Sequence, residues 1–126
     1  IKNGASWTDE EGREVPNSRL TTPADPPRSY AYCSDTCYLP ELAARINGVT
    51  CLYHESTYAS ADIEKAQKYY HTTAAQAATV ARDARVGKLL LGHYSSKYEN
   101  EEVLLDEARK VFEASELANE GMVVTL

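Results

Sequence analysis

Histidines and acidic residues in this sequence follow short apolar runs of the kind that form buried strands. Three runs end in this way: at Asp35 (residues 30–34), at His54 and Glu55 (residues 49–53) and at His93 (residues 88–91). Because the carboxyl ends of parallel strands meet at one edge of a sheet, we expect these side chains to line one cleft, with His71 nearby at a helix start. Carboxylate and imidazole groups that converge can hold a metal ion or exchange protons.

Two sets of candidate metal ligands emerge from this pattern. The first is Asp35 with His93, a carboxylate oxygen and an imidazole nitrogen that suit zinc or manganese. The second consists of three cysteines and a histidine: Cys33, Cys37, Cys51 and His54. The outer spacings of this Cys3His set match those of structural zinc sites. Cys51, however, lies inside an apolar strand, where cysteine usually acts as a small hydrophobic residue.

A regular alternation of strands and helices must position these residues. Strands are predicted at 30–34, 49–53, 88–91 and 122–126, and helices at 39–46, 60–70, 73–85 and 101–112. Thr73 and Gln76 have the spacing of a capping box, so a helix should begin there. Because helical crossovers connect parallel strands, the expected fold class is α/β with mostly short strands.

Residues 1–29 differ in composition from the rest of the chain. Four of the five prolines lie here, at Pro16, Pro23, Pro26 and Pro27, and they favour turns over helices. Two short strands are expected around residues 5–8 and 13–16. We therefore predict an irregular connecting segment at 1–29 and a domain at 30–126.

Length, charge and cysteine content limit the function classes. The chain has 126 residues, a net charge of −6 and a pI near 5.0, which argues against a stand-alone nucleic-acid binder with a basic patch. It has no apolar run long enough to span a membrane and no recognisable leader, so no membrane partner is expected. Three cysteines, an odd number, argue against a disulfide framework and favour the reducing cytoplasm.

Four motifs stand in order along the chain: Tyr32-Cys33-Ser34-Asp35-Thr36, His54-Glu55-Ser56-Thr57, His71-Thr72-Thr73-Ala74-Ala75-Gln76-Ala77-Ala78 and Gly92-His93-Tyr94-Ser95-Ser96-Lys97-Tyr98. In order and spacing they resemble the ribonuclease Z family. These proteins are the tRNA 3′-processing endonucleases of the metallo-β-lactamase superfamily. The resemblance extends from about residue 28 to the end of the chain.

The resemblance implies a role for each matching residue. Asp35 matches the aspartate that bridges two zinc ions, and His93 matches the last histidine ligand, on the second zinc. His71 and Glu55 match the pair that handles the proton delivered to the leaving oxygen. That pairing agrees with general physical logic, because a histidine oriented by a carboxylate suits a general acid.

Two further residues match positions near the scissile phosphate. Lys97 falls where the family usually has an arginine, and Ser95 lies two residues before it. Lysine keeps the positive charge but loses the bidentate geometry that a guanidinium offers a phosphate.

The resemblance also implies what this chain lacks. Its three histidines leave out the family's H-x-H-x-D-H cluster, which supplies most zinc ligands and the general base. Residues 30–126 are therefore expected to be the C-terminal half of a metallo-β-lactamase-like αββα sandwich. A complete site holds two zinc ions in the family, so the isolated chain should bind zinc weakly or not at all and be inactive.

The function implied is that of a zinc-dependent endoribonuclease that removes 3′ trailers from precursor tRNA. The expected partners are precursor tRNA and the missing N-terminal half. Because half a sandwich exposes surfaces that the other half covers, we also expect a homodimer or partial disorder of residues 1–29. The alternatives are another phosphodiesterase or hydrolase of the metallo-β-lactamase fold, and a non-catalytic module with the Cys3His zinc.

Overall fold

The computed structural model describes residues 1–126, and its strands and helices alternate as the sequence predicts. The strands are β1 (Trp7–Thr8), β2 (Glu14–Val15), β3 (Tyr30–Cys33), β4 (Cys51–Glu55), β5 (Lys88–Gly92) and β6 (Ser115–Leu117). The helices are α1 (Asn17–Leu20), α2 (Leu42–Arg45), α3 (Ile63–Lys68), α4 (Ala74–Asp83) and α5 (Glu102–Val111), with a 3-10 turn at Ser60–Asp62. No helix is both long enough and apolar enough to cross a membrane.

Strands β3 to β6 form one sheet in the order β3-β4-β5-β6, and all three pairings are parallel. Cys33 pairs with His54, and Glu55 pairs with Gly92. The strands are connected by helices, as parallel neighbours require. The expected α/β class is therefore confirmed, and the carboxyl ends of β3, β4 and β5 share one edge of the sheet.

The hydrophobic core lies between one face of this sheet and helices α4 and α5. Leu52, Leu89 and Leu91 are fully buried on the sheet side. Small side chains on α4 face them and let the helix approach closely: Ala74, Ala77, Ala78 and Ala81. Each fully buried leucine contributes about 1.5–3 kcal/mol relative to an exposed one. This packing fixes the sheet edge on which the candidate residues stand.

Helix α4 begins with the capping box that the sequence predicts. The Thr73 hydroxyl accepts a hydrogen bond from the Gln76 backbone N–H, and the Gln76 side chain accepts one from the Thr73 N–H. A cap of this kind is worth about 1 kcal/mol. It also fixes where the chain enters α4, immediately after His71 and Thr72.

The opposite face of the sheet is rich in tyrosine, and it is exposed along β3. Tyr32 stacks on Tyr53 with 4.7 Å between ring centroids, yet its side chain is 65% exposed. Tyr30 is 50% exposed on the same face. A large exposed aromatic patch is typical of a surface that meets another protein segment.

Two predicted elements differ from the structure at the C-terminal end. The expected strand at 122–126 is wrong, because those residues pair with no strand. The edge strand is instead β6, whose Leu117 pairs with Leu91. Its Ser-Glu-Leu sequence has no apolar run, so only the hydrogen bonds to β5 define it as a strand.

Residues 1–29 contain the two short strands expected there, paired antiparallel as a small hairpin, followed by α1. Most of their side chains are exposed. Ser29 links the end of this segment to the sheet, since its N–H donates to the Thr50 hydroxyl at 3.0 Å.

Candidate metal and proton-transfer site

Four titratable side chains meet at the carboxyl-terminal edge of the sheet. One ligand atom from each of Asp35, Glu55, His71 and His93 lies within 4.8 Å of the others. Three of these residues stand at the end of a strand, and His71 precedes α4. The expectation that parallel strand ends gather Asp35, Glu55 and His93 is met.

The backbone is strained at this edge. Asp35 and His93 have φ values of 50° and 57°, and Tyr70, which precedes His71, has a φ of 59°. Non-glycine residues rarely adopt this left-handed region, and each such residue costs on the order of 1–3 kcal/mol. Strain of this kind persists where surrounding contacts hold it in place, and it concentrates at functional sites.

Glu55 is fully buried and accepts hydrogen bonds on both carboxylate oxygens. Oε1 accepts from the Thr36 N–H at 2.9 Å and from His71 Nδ1 at 2.8 Å. Oε2 accepts from the Thr57 hydroxyl at 2.7 Å and from the Thr72 N–H at 3.0 Å. Burial raises the pKa of this carboxyl, but the bonds from Thr57, Thr72 and His71 together outweigh burial and hold the pKa below its ordinary value.

His71 is oriented by this carboxylate. Because its Nδ1 donates to Glu55, its Nε2 is free for a group outside the protein, and its side chain is 22% exposed. The His71 ring also stacks on His93, with 5.2 Å between centroids. An imidazole held by a buried carboxylate, with its second nitrogen accessible, is suited to general acid–base chemistry.

Asp35 and His93 form the accessible part of the cluster. Asp35 Oδ1 lies 2.9 Å from His93 Nε2, and their side chains are 69% and 42% exposed. A carboxylate oxygen beside an imidazole nitrogen is a donor pair that zinc or manganese accepts. Glu55 already has protein donors on both oxygens, so Asp35 and His93 are the members of the cluster that fit a metal ion.

His54 does not line the cleft, and the expectation that it does is wrong. Successive side chains of a strand point to opposite faces, so His54 and Glu55 diverge. His54 is fully buried, its Nδ1 lies 2.8 Å from the Glu55 carbonyl oxygen, and its Nε2 has no partner. Burial is the main cause that lowers the pKa of His54 below its ordinary value.

The structure does not bring together the alternative Cys3His set. Cys33 lies beside His54 on the neighbouring strand, but Cys51 is three residues before His54 and faces the other side of the sheet. The only group of three or more potential ligands is the one that contains Asp35. All three cysteines are free thiols.

Lys97 and Ser95 follow His93 but contact other groups. The Lys97 ammonium lies 2.6 Å from the Asp62 carboxylate, which also accepts a bond from the Tyr98 hydroxyl at 2.7 Å. The Ser95 hydroxyl accepts the Lys97 N–H at 3.4 Å, and the Ser95 N–H donates to the Thr57 carbonyl at 3.1 Å. The Lys97 side chain is 45% exposed, but the Asp62 side chain is only 13% exposed, so a ligand would have to compete with this carboxylate for the ammonium.

Three threonines of the site have roles that the sequence did not indicate. The backbone N–H groups of Thr36 and Thr72 donate hydrogen bonds to the Glu55 carboxylate. Thr57 contacts Glu55, His71 and His93 through its hydroxyl. The available signal was spacing, since Thr57 follows Glu55 by two residues.

Comparisons with known proteins agree with the fold and the motifs. The chain is 48% identical over its whole length to ribonuclease Z of Bacteroides fragilis and 49% identical to that of Bacteroides thetaiotaomicron. Ribonuclease Z of Porphyromonas gingivalis is 46% identical, again over the whole chain. The chain spans only 41% of the length of the first of these curated relatives. No family model matches the chain.

Two solved structures share the fold. The metallo-β-lactamase fold protein YhfI of Bacillus subtilis superposes with a TM-score of 0.66 at 23% identity, covering 72% of this chain and 37% of YhfI. The short form of human tRNase Z superposes with a TM-score of 0.55 at 26% identity, covering 71% of this chain and 30% of that protein. By sequence over its whole length and by fold, the chain is therefore a relative of the ribonuclease Z family and corresponds to a part of its members.

Proposed function

We propose that this chain is the C-terminal part of a zinc-dependent endoribonuclease that removes 3′ trailers from precursor tRNA by phosphodiester hydrolysis. The observation that carries the proposal is the meeting of an accessible Asp35–His93 pair and a half-buried Glu55–His71 pair at one sheet edge. The first pair is suited to bind a metal ion, and the second is suited to donate a proton. This arrangement lies in a chain that resembles ribonuclease Z along its entire length.

In the proposed reaction, His71 supplies the proton for the leaving oxygen. Water adds to the phosphorus and loses one proton to solvent, the bond from phosphorus to the 3′ oxygen of the tRNA breaks, and the proton on His71 Nε2 passes to that oxygen. His71 then takes up a proton from solvent, which restores its starting state. The tRNA then ends in a 3′-hydroxyl, and the trailer keeps the phosphate. Glu55 holds His71 by its Nδ1, at 2.8 Å, and stabilises the protonated ring before transfer.

Asp35 and His93 are the residues of this chain that would hold metal. Bound zinc supplies Lewis-acid stabilisation of the phosphate and activation of the attacking water. Two protein ligands do not complete a zinc coordination sphere, so the remaining ligands must come from a part of the protein outside these residues. We therefore expect the isolated chain to bind zinc weakly and to be inactive.

Lys97 and Ser95 are the proposed contacts to the substrate phosphate. Lys97 is held by Asp62, and an incoming phosphate must compete with that carboxylate for the ammonium. The Lys97 side chain is 45% exposed and can be approached by a phosphate, whereas Asp62 is only 13% exposed.

The proposed partners are precursor tRNA and the rest of the protein. The open tyrosine face around Tyr30, Tyr32 and Tyr53 is the surface on which the N-terminal half of the sandwich would pack, and in the isolated chain it favours a homodimer. The acidic net charge of −6 supports the proposal that the main tRNA-binding surface lies in the other half. Precursor tRNA and free cysteines both fit a cytoplasmic location.

A chimera tests the proposal. In it, residues 1–126 replace the aligned segment of the Bacteroides fragilis ribonuclease Z, and cleavage of a precursor tRNA with a 3′ trailer is measured. We expect activity in the chimera, its loss with Asp35→Ala or His71→Ala, and its retention with Asp25→Ala, which removes an exposed acid outside the site. Hydrolysis of a small phosphodiester without tRNA cleavage would instead indicate a different phosphodiesterase.

A further inference from the structure

A single hydroxyl group connects the two pairs of the site. Thr57 Oγ1 lies 2.7 Å from Glu55 Oε2 and 2.8 Å from His93 Nδ1. It also lies 3.3 Å from His71 Nδ1. The Thr57 side chain is buried, so water cannot substitute for these partners. A threonine hydroxyl has one proton to donate. The direction of that proton decides which neighbouring atom accepts it and which neighbouring atoms must donate to the hydroxyl oxygen.

That proton must point to Glu55. Backbone N–H groups can only donate, and they face both oxygens of this carboxylate: Thr36 faces Oε1, and Thr72 and Thr57 face Oε2. Three backbone N–H donors favour the ionised carboxylate, and beside an ionised Glu55 Oε2 the Thr57 hydroxyl acts as the donor. Thr57 consequently presents only lone pairs to His93.

The second nitrogen of His93 has a competing partner. Asp35 Oδ1 lies 2.9 Å from His93 Nε2 and attracts the ring proton to that side. The Asp35 side chain is 69% exposed, so water replaces this bond at little cost. On the Thr57 side the contact is less exposed, since Thr57 itself is buried, and a proton missing from His93 Nδ1 would leave two acceptors facing each other.

We propose that Thr57 is a positioning residue that keeps neutral His93 in the tautomer protonated on Nδ1. This tautomer leaves the Nε2 lone pair beside Asp35, where a metal ion would bind. The inference rests on the proposed function for the role of His93 as a ligand. The tautomer itself is a property of this chain and is measured without metal or RNA.

The experiment is a long-range ¹H–¹⁵N spectrum of the metal-free 126-residue chain at about pH 9, where imidazole groups are neutral. We expect the His93 Nδ1 resonance to show the shift of a protonated nitrogen and Nε2 that of an unprotonated one. In Thr57→Val the proton should move to Nε2, toward Asp35. In Thr57→Ser, which keeps the hydroxyl, it should stay on Nδ1.

Thr72→Val is the matched control, because it removes a buried hydroxyl that bonds to the Thr36 carbonyl and does not touch His93. The His93 tautomer should be unchanged in it. A wild-type His93 protonated on Nε2 would overturn the inference, even if Thr57→Val does not fold. So would a Thr57→Val spectrum identical to wild type. If His93 shows the expected tautomer but the chimera is inactive, the proposed function would be refuted and the inference about Thr57 would stand.

Discussion

Asp35 Oδ1 and His93 Nε2 lie 2.9 Å apart, although the two residues follow strands β3 and β5, which are separated by β4. Both residues have left-handed backbone conformations, with φ values of 50° and 57°. The parallel sheet brings the strand ends together, and two strained turns complete the approach. The pair is therefore a product of topology and of local strain, and the predictions below test what it and its neighbours do.

Replacement of Asp35 should separate a ligand role from a structural role. Asp35→Asn keeps a residue type that tolerates a left-handed backbone and changes a side chain that is 69% exposed. The free energy of unfolding should change by no more than about 0.5 kcal/mol, measured by urea denaturation. Cleavage by the chimera should be abolished. A large loss of stability would show instead that Asp35 mainly supports the fold.

Glu55→Gln should strongly destabilise the chain. The new amide must turn its NH2 group toward N–H donors on one side, because both carboxylate oxygens are occupied by donors. We expect the free energy of unfolding to fall by about 3 kcal/mol, as for other broken buried polar networks. Glu113→Gln, at an exposed position, is the control and should have little effect. Equal urea midpoints for the two variants would contradict the structural account of Glu55.

Stability should fall as the solution becomes acidic, because of His54. Burial lowers the pKa of His54 below its ordinary value of 6.5. Just below pH 6.5, His54 is therefore protonated in the unfolded chain but still neutral in the folded chain. The stabilisation is complete above that pH and is lost as the pH falls toward the folded pKa. The unfolding free energy should drop as the pH falls below about 6.5, and the drop should be smaller in His54→Gln.

The pKa of Glu55 is also lowered, below its ordinary value of 4.5. The loss of stability in acid should therefore continue below pH 4.5. The Glu55 carboxylate stabilises the fold above that pH, and the effect is lost as the pH falls through the folded pKa. An NMR titration of His54 directly checks the part of this loss that is attributed to His54. A His54 midpoint above 6.5 would contradict the buried, neutral state described for this residue.

Gly92→Ala tests the packing that sets the position of His93. A Cβ at Gly92 would overlap the phenol hydroxyl and ring of Tyr53. We expect a loss of about 1–3 kcal/mol in the free energy of unfolding, typical of overpacking. Because Tyr53→Ala removes the obstructing ring, the double variant should lose less stability than the sum of the two single variants. Additive losses would show that the steric contact does not limit this position.

Elements with strong local signals could be predicted from the sequence. The capping box placed the start of α4 within one residue, and the apolar run at 88–91 is the core of β5. Strand β6 could not be predicted, because Ser115–Leu117 becomes a strand only through its bonds to β5. The β-branched tail at 122–126 has a strand-like composition but no partner.

The site was predictable to the extent that it depends on topology. Parallel strand ends indicated Asp35, Glu55 and His93 together, but the predicted end of β4 came two residues early and so placed His54 in the cleft. Thr57 was not identified from the residues alone, because its importance lies in the simultaneous approach of three side chains. Its spacing of two residues from Glu55 was the only sign of it in the sequence.

The central claim is that Asp35 and His93 are part of a metal site that a longer protein completes. The most direct measurement is zinc bound per molecule, in the isolated chain and in the chimera, with Asp35→Ala and Cys51→Ser variants of each. The account predicts little zinc in the isolated chain and bound zinc in the chimera, reduced by Asp35→Ala and unchanged by Cys51→Ser. One tightly held zinc in the isolated chain that survives Asp35→Ala and disappears with Cys51→Ser would contradict it.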